Sequence, residues 1–120
     1  MFGFIMAIIA LVAAGCIVAY AVVLTIKWLR NKVKEKLAKK NVEKVVLGDL
    51  QALIDECNNP ATLDELDKLA DKGYTHVMAD VGYDGKIVGD VELVQNQNNT
   101  LDREVEELIN RTNQGMVIIS

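Results

Sequence analysis

The chain has 120 residues, a formal net charge of −4 and 51% hydrophobic residues, a length short for two full domains. Its two cysteines, Cys16 and Cys57, are too few for a disulfide framework, and no Cys-x-x-Cys or Cys/His cluster suggests zinc. The average charge conceals three segments: residues 1–26 carry none, residues 27–40 carry seven basic side chains against Glu35 (net +6), and residues 41–120 carry six basic and sixteen acidic ones (net −10).

The first segment, "FGFIMAIIALVAAGCIVAYAVVLTI", is apolar from Phe2 to Ile26. At ~1.5 Å per residue a helix of that length exceeds the ~30 Å hydrocarbon core of a bilayer. Ala13-Ala14-Gly15-Cys16 also has the look of a lipoprotein cleavage site, but no basic residue precedes the run and it continues well past Cys16. The sequence therefore predicts a transmembrane helix over residues 1–26. Lys and Arg flank only its C-terminal end, which places the N-terminus outside the plasma membrane and the rest of the chain in the cytoplasm. On that orientation the Asn-x-Thr triplets at Asn98 and Asn110 are chance matches. Gly3, Ala7, Ala10, Ala14 and Ala21 share one heptad seam, and Gly15 and Ala19 form a small-xxx-small pair. Small residues let membrane helices approach closely, so the seam predicts a homo-oligomer.

"KWLRNKVKEKLAKKN" continues the helix without glycine or proline, giving a basic juxtamembrane helix or linker over 27–43. Lys27, Trp28, Arg30, Lys32, Lys34 and Lys36 suit lipid headgroups, while Leu29, Val33 and Leu37 form a narrow apolar stripe. The acidic remainder of the chain repels phosphate and argues against nucleic acid.

Residues 44–120 read as a small acidic cytoplasmic α+β domain. Val45-Val46-Leu47 is a short strand candidate or the lead-in to a helix. Leu50, Leu53, Ile54 and Cys57 recur at i, i+3, i+4 and i+7 behind Asp49, a plausible N-cap. Pro60 interrupts the chain, Thr62-x-x-Glu65 offers a capping box for the next helix, and Gly73 should stop it. "THVMADVGYDGKIVGDVELV" reads as a hairpin turning at Tyr83-Asp84-Gly85. A three-residue loop with Gly85 left-handed pairs Val81 with Ile87, Ala79 with Gly89 and Val77 with Val91. That register segregates the apolar residues from His76, Met78, Asp80, Asp90 and Glu92. Thr100 should cap a helix over "LDREVEELINRT", and residues 116–120 should form a last strand, parallel to 87–94. The expected fold is hairpin–helix–strand with helices on one sheet face and the acidic face open.

Catalytic chemistry finds little support. Ser120 is the only serine and terminates the chain, Cys57 looks core-facing beside any dyad with His76, and Gly82, Gly85 and Gly89 match no phosphate-binding fingerprint. His76, Asp80, Asp90 and Glu92 could hold a divalent cation, but a solvated sheet face or a partner surface explains them better. No metal or other cofactor is expected. The +6/−10 split suggests that these acids dock a basic segment, a neighbour's residues 27–40 among the candidates. The sequence thus favours a membrane-anchored, non-catalytic scaffold or recruitment protein with a cytoplasmic protein partner. The alternative is a gated membrane effector, holin-like or of the immunity type, whose helix perturbs the bilayer.

Overall fold

The apolar run that opens the chain is broken at Gly15. In this computed structural model, which describes residues 2–98, 100–110 and 115–120, the first helix, α1, covers Phe2–Ala13 and the chain then turns into a strand, β1, at Ile17–Val22. Cys16 N–H donates to the Leu11 carbonyl at 2.9 Å, Gly15 N–H donates to the Val12 carbonyl at 3.0 Å, and Gly15 has φ +78°. This is the Schellman ending, in which a left-handed residue lets the last helical carbonyls find donors. Ala13-Ala14-Gly15-Cys16 is therefore a helix stop and not the middle of a span. Ile17, Val18 and Val22 then supply the β-branched side chains that suit a strand.

A single run of 25 helical residues does not form. Among the described residues no helix is long and apolar enough to cross a membrane. The predicted single-pass span, its N-out orientation and its plasma-membrane location are overturned by this. The radius of gyration, 13.3 Å, is close to the ~14 Å of a compact chain of this length. Substituting Gly15→Ala places a Cβ in open space, so its cost is purely conformational. Denaturant unfolding should show a loss of about 1–2 kcal/mol, whereas a continuous helix would be slightly stabilised.

The remaining elements are α2 (Ile26–Leu37), β2 (Lys44–Asp49), α3 (Leu50–Glu56), α4 (Pro60–Asp71), β3 (Tyr74–Val81), β4 (Ile87–Asn96), α5 (Arg103–Asn110) and β5 (Met116–Ile119). Five strands make one mixed sheet in the order β1-β4-β3-β2-β5, with β1 parallel to β4 and the other neighbours antiparallel. The described residues of the segment 1–43, expected to be span and linker, thus contribute an edge strand and two packed helices to the same body as the described residues beyond it.

Helices cover both sheet faces rather than one. On the first face α1, α3 and α4 bury Ile5, Ile8, Ile9, Val12, Leu50, Leu53 and Leu66 against Val46, Val77, Ala79, Val81, Val91 and Leu93. On the second, α2 and α5 bury Leu29, Val33, Val105 and Ile109 against Val45, Leu47, Met78, Val94 and Val117. The face expected to be open and solvated is a second core. β5 also differs from expectation: it pairs antiparallel with β2 at the far edge and does not lie beside β4.

Several local expectations hold. Asp49 caps α3, its carboxylate accepting from Gln51 N–H at 3.0 Å. Gly73 follows α4 with φ +96°. The hairpin turns at Tyr83-Asp84-Gly85 with Gly85 at φ +80°, and Val81 pairs with Ile87. The register then shifts, so that Val77 faces Leu93 and Met78 faces Glu92. The shift amounts to two residues, so it keeps each side chain on its expected face. Two caps are corrected. Asn59 opens α4, accepting from Ala61 and Thr62 N–H with Pro60 in the first turn, because proline's missing donor costs nothing there. Asp102 opens α5 in place of Thr100, accepting from Glu104 N–H at 2.9 Å. The last residues of the expected helix over 101–112, the triplet beginning at Asn110 and the start of "QGMVIIS" extend beyond the described residues, as does the middle of the triplet at Asn98.

Candidate functional site

The second face carries two features, both built by α2. The first is a charged cluster beneath the helix. Leu29, Val33 and Lys36 recur at i, i+4 and i+7, so Lys36 points down with the apolar stripe and is only 5% exposed. Asp80 on β3 and Glu92 on β4 rise from the sheet to meet it. The Lys36 Nζ lies 2.9 Å from Asp80 Oδ1 and pairs with Glu92 Oε2 as well. Burial alone would weaken the hold of Lys36 on its proton, but hydrogen bonds and charge from Glu92 and Asp80 outweigh it and raise the pKa above 10.5. The amine is therefore held as an ammonium and is not a nucleophile. The Tyr20 hydroxyl, from β1, is buried within reach of Glu92 without a hydrogen bond of good geometry. Burial first, then the charge and proximity of Glu92 and the charge of Asp80, push its pKa well up. A cleft of about 270 Å³ opens beside the cluster, lined also by Lys39, Asn41, Asp90 and Gly89.

The second feature is a groove of about 620 Å³ between α2 and α5. One carboxylate sets it up. Asp102 accepts from the N–H of Ile26, the first residue of α2, at 3.0 Å through Oδ2, and caps α5 through Oδ1. Both helices therefore start from the same side chain, side by side on the sheet. Their apolar residues Ile26, Leu29, Val33, Leu37 and Leu108, with Ile119 of β5, line the floor, while Arg30 and Lys34 stand on the α2 wall and Glu104 and Glu107 on the α5 wall. Arg30 and Glu104 approach across it at 3.9 Å, both exposed to solvent, a contact worth little energetically.

No family model, curated protein or solved structure matches this chain. Its functional reading therefore rests on these two features and on where the expected residues lie.

Of the expected partner surface, Asp80, Asp90 and Glu92 do gather at one cleft, and the basic segment docks on two of them within one chain. His76 stands apart, 5% exposed, its Nδ1 sharing a hydrogen bond with Thr75 Oγ1 at 2.7 Å and its strand position facing Asp49. Burial lowers its pKa, and the Asp49 charge opposes this more weakly. Because the native pKa lies below the unfolded value of about 6.5, the unfolded chain takes up a proton that the native ring refuses as pH falls from there. Stability should therefore decline below about pH 6.5 and level off below the native pKa. Urea titrations of wild type and His76→Gln across that range should show the decline in wild type alone.

Among the described residues no group of three or more His, Cys, Asp or Glu side chains is placed to hold a metal ion. Cys57 is buried, with its thiol donating to the Asn59 carbonyl, and Cys16 is half-buried. The residues assigned to helix packing in a bilayer divide differently. Gly3 and Ala10 lie on the exposed side of α1 with Ala7 half-buried, Ala14 is exposed in the turn after it, Gly15 ends that helix, and Ala19 and Ala21 are exposed on β1. Of the residues assigned to headgroups, Lys27 and Lys34 are exposed, Trp28 rests against Tyr20, Lys32 sits 5.5 Å from the centre of the Tyr20 ring, and Arg30 faces Glu104. Lys36 is the residue whose role the sequence reading missed. The signal was its position seven residues after Leu29, on the buried stripe.

Proposed function

We propose that this chain is a non-catalytic interaction domain that docks a helical protein surface across the α2–α5 groove. The observation that carries this reading is the groove itself: concave, apolar along its floor, charged at both rims, and of a volume typical of binding sites. Amphipathic helices bind such grooves through apolar residues at i, i+3, i+4 and i+7. The walls differ in sign, so the preferred partner carries acidic groups toward Arg30 and Lys34 and basic groups toward Glu104 and Glu107. The charged cluster supports the reading from below. Lys36 already has its counterions and keeps its proton, so its part is to fix how α2 sits, and hence the groove's shape.

Designed helical peptides test this. One carries a leucine stripe with glutamates on one flank and lysines on the other; two controls carry lysines on both flanks or glutamates on both. A simple flank swap is not a control, because the peptide can reverse direction in the groove. Fluorescence anisotropy should show micromolar binding of the mixed peptide, several-fold weaker binding of the controls, and loss of binding with Leu108→Asp. Equal binding of all three peptides, or binding indifferent to Leu108→Asp, overturns the proposal.

A further inference from the structure

We infer that the surface docked across the groove is the same face of a second copy of this chain. The inference rests on the interaction-domain reading above and names its partner. The two walls of the groove differ in sign. A basic wall, Arg30 and Lys34 on α2, stands beside an acidic wall, Glu104 and Glu107 on α5, across an apolar floor. An isologous dimer places the same patch on both sides of a two-fold axis. If the axis runs across the groove, α2 meets α2 of the second copy and like charges face one another. With the axis along the groove, α2 of each copy lies over α5 of the other.

The second arrangement pairs every basic wall with an acidic one. It also preserves position along the groove. Arg30 and Glu104 already stand at one level, 3.9 Å apart within one chain, so Arg30 of one copy meets Glu104 of the other at that level. Leu37, Leu108 and Ile119, all half-buried in the single chain, lie between those paired walls and are screened from solvent by the second copy. The patch is thus self-complementary in charge and joined by an apolar strip, the combination that gives both register and contact.

Charge-reversed variants of the full chain test the arrangement. Arg30→Glu with Lys34→Glu makes both walls acidic, and Glu104→Arg with Glu107→Lys makes both basic. All four side chains are exposed, and circular dichroism checks that each variant folds. Sedimentation velocity should show wild type dimerising, with weaker association at high salt. Each variant alone should self-associate more than about tenfold more weakly, and the equimolar mixture should recover a heterodimer. Wild type that stays monomeric to the highest soluble concentration overturns the inference, as do variants that dimerise as well as wild type or fail to recover on mixing. A monomer that still binds the mixed-flank peptide would sink the second copy alone. A monomer that binds no peptide would sink the groove reading too.

Discussion

Lys36→Ala should destabilise the protein by about 3–5 kcal/mol, the usual cost of removing one partner from a buried ion pair. With total stabilities of about 5–15 kcal/mol, such a loss leaves the fold marginal. The reason is not chiefly the attraction that disappears but the two carboxylates left behind, Asp80 buried and Glu92 largely so, without their counterion. Replacing all three with apolar residues of similar volume should cost far less, and can even stabilise, because no charge then needs desolvating. Urea denaturation of Lys36→Ala beside the triple variant separates the two cases. Equal, large losses in both would mean that the ion pairs themselves contribute most of the energy. The pH dependence has a definite sign. The native pKa of Lys36 is raised, so its contribution is complete below about pH 10.5 and is lost as pH rises through the native value.

Ile8→Ala is the second large effect. Ile8 is fully buried in the first-face core, and removing its branched side chain should cost about 2–5 kcal/mol. Met6, two residues earlier on the same helix, is 36% exposed, and Met6→Ala should change stability by no more than about 0.5 kcal/mol. The contrast is diagnostic. A helix standing apart from the body of the protein would tolerate both substitutions alike, so a near-zero effect at Ile8 would remove α1 from the core. Chemical denaturation followed by far-ultraviolet dichroism reads both values.

The same pair of residues shows why the first third of the chain was misread. Amphipathic helices normally announce themselves by alternating polar and apolar residues. In α1 every residue is apolar, and the face is marked by size instead: Ile5, Ile8, Ile9 and Val12 point inward at i, i+3, i+4 and i+7, while Gly3, Ala10, Ala13 and Ala14 are exposed. Gly3 and Ala10, two of the small residues that suggested helix packing in lipid, belong to the outer face of a surface helix. Length alone then dominated, although Gly15 followed by Ile17 and Val18 carried the stop and the change of period. Local stop and turn signals were legible in part: Asp49 starts α3, Gly73 follows α4 and Gly85 turns the hairpin, whereas Asn59 and Asp102 open α4 and α5 in place of Thr62 and Thr100. Segregation of the hairpin faces was legible as well. What covers the acidic face was not, because that depends on which helix the chain folds back, and α2 was assigned elsewhere. The groove was equally hidden: it requires α2 and α5 to be neighbours, and the two are joined through Asp102, 76 residues from Ile26.

The position of β1 has a consequence for how the protein is made. Its partner in the sheet is β4, with Ile17 opposite Val91 and Val22 opposite Asn96. A ribosome adding about 5–20 residues per second needs roughly 4–15 s to travel from one strand to the other. Throughout that interval the greasiest part of the nascent polypeptide has emerged without the neighbour that shelters it, a long-range closure that is slow and exposed to sticking.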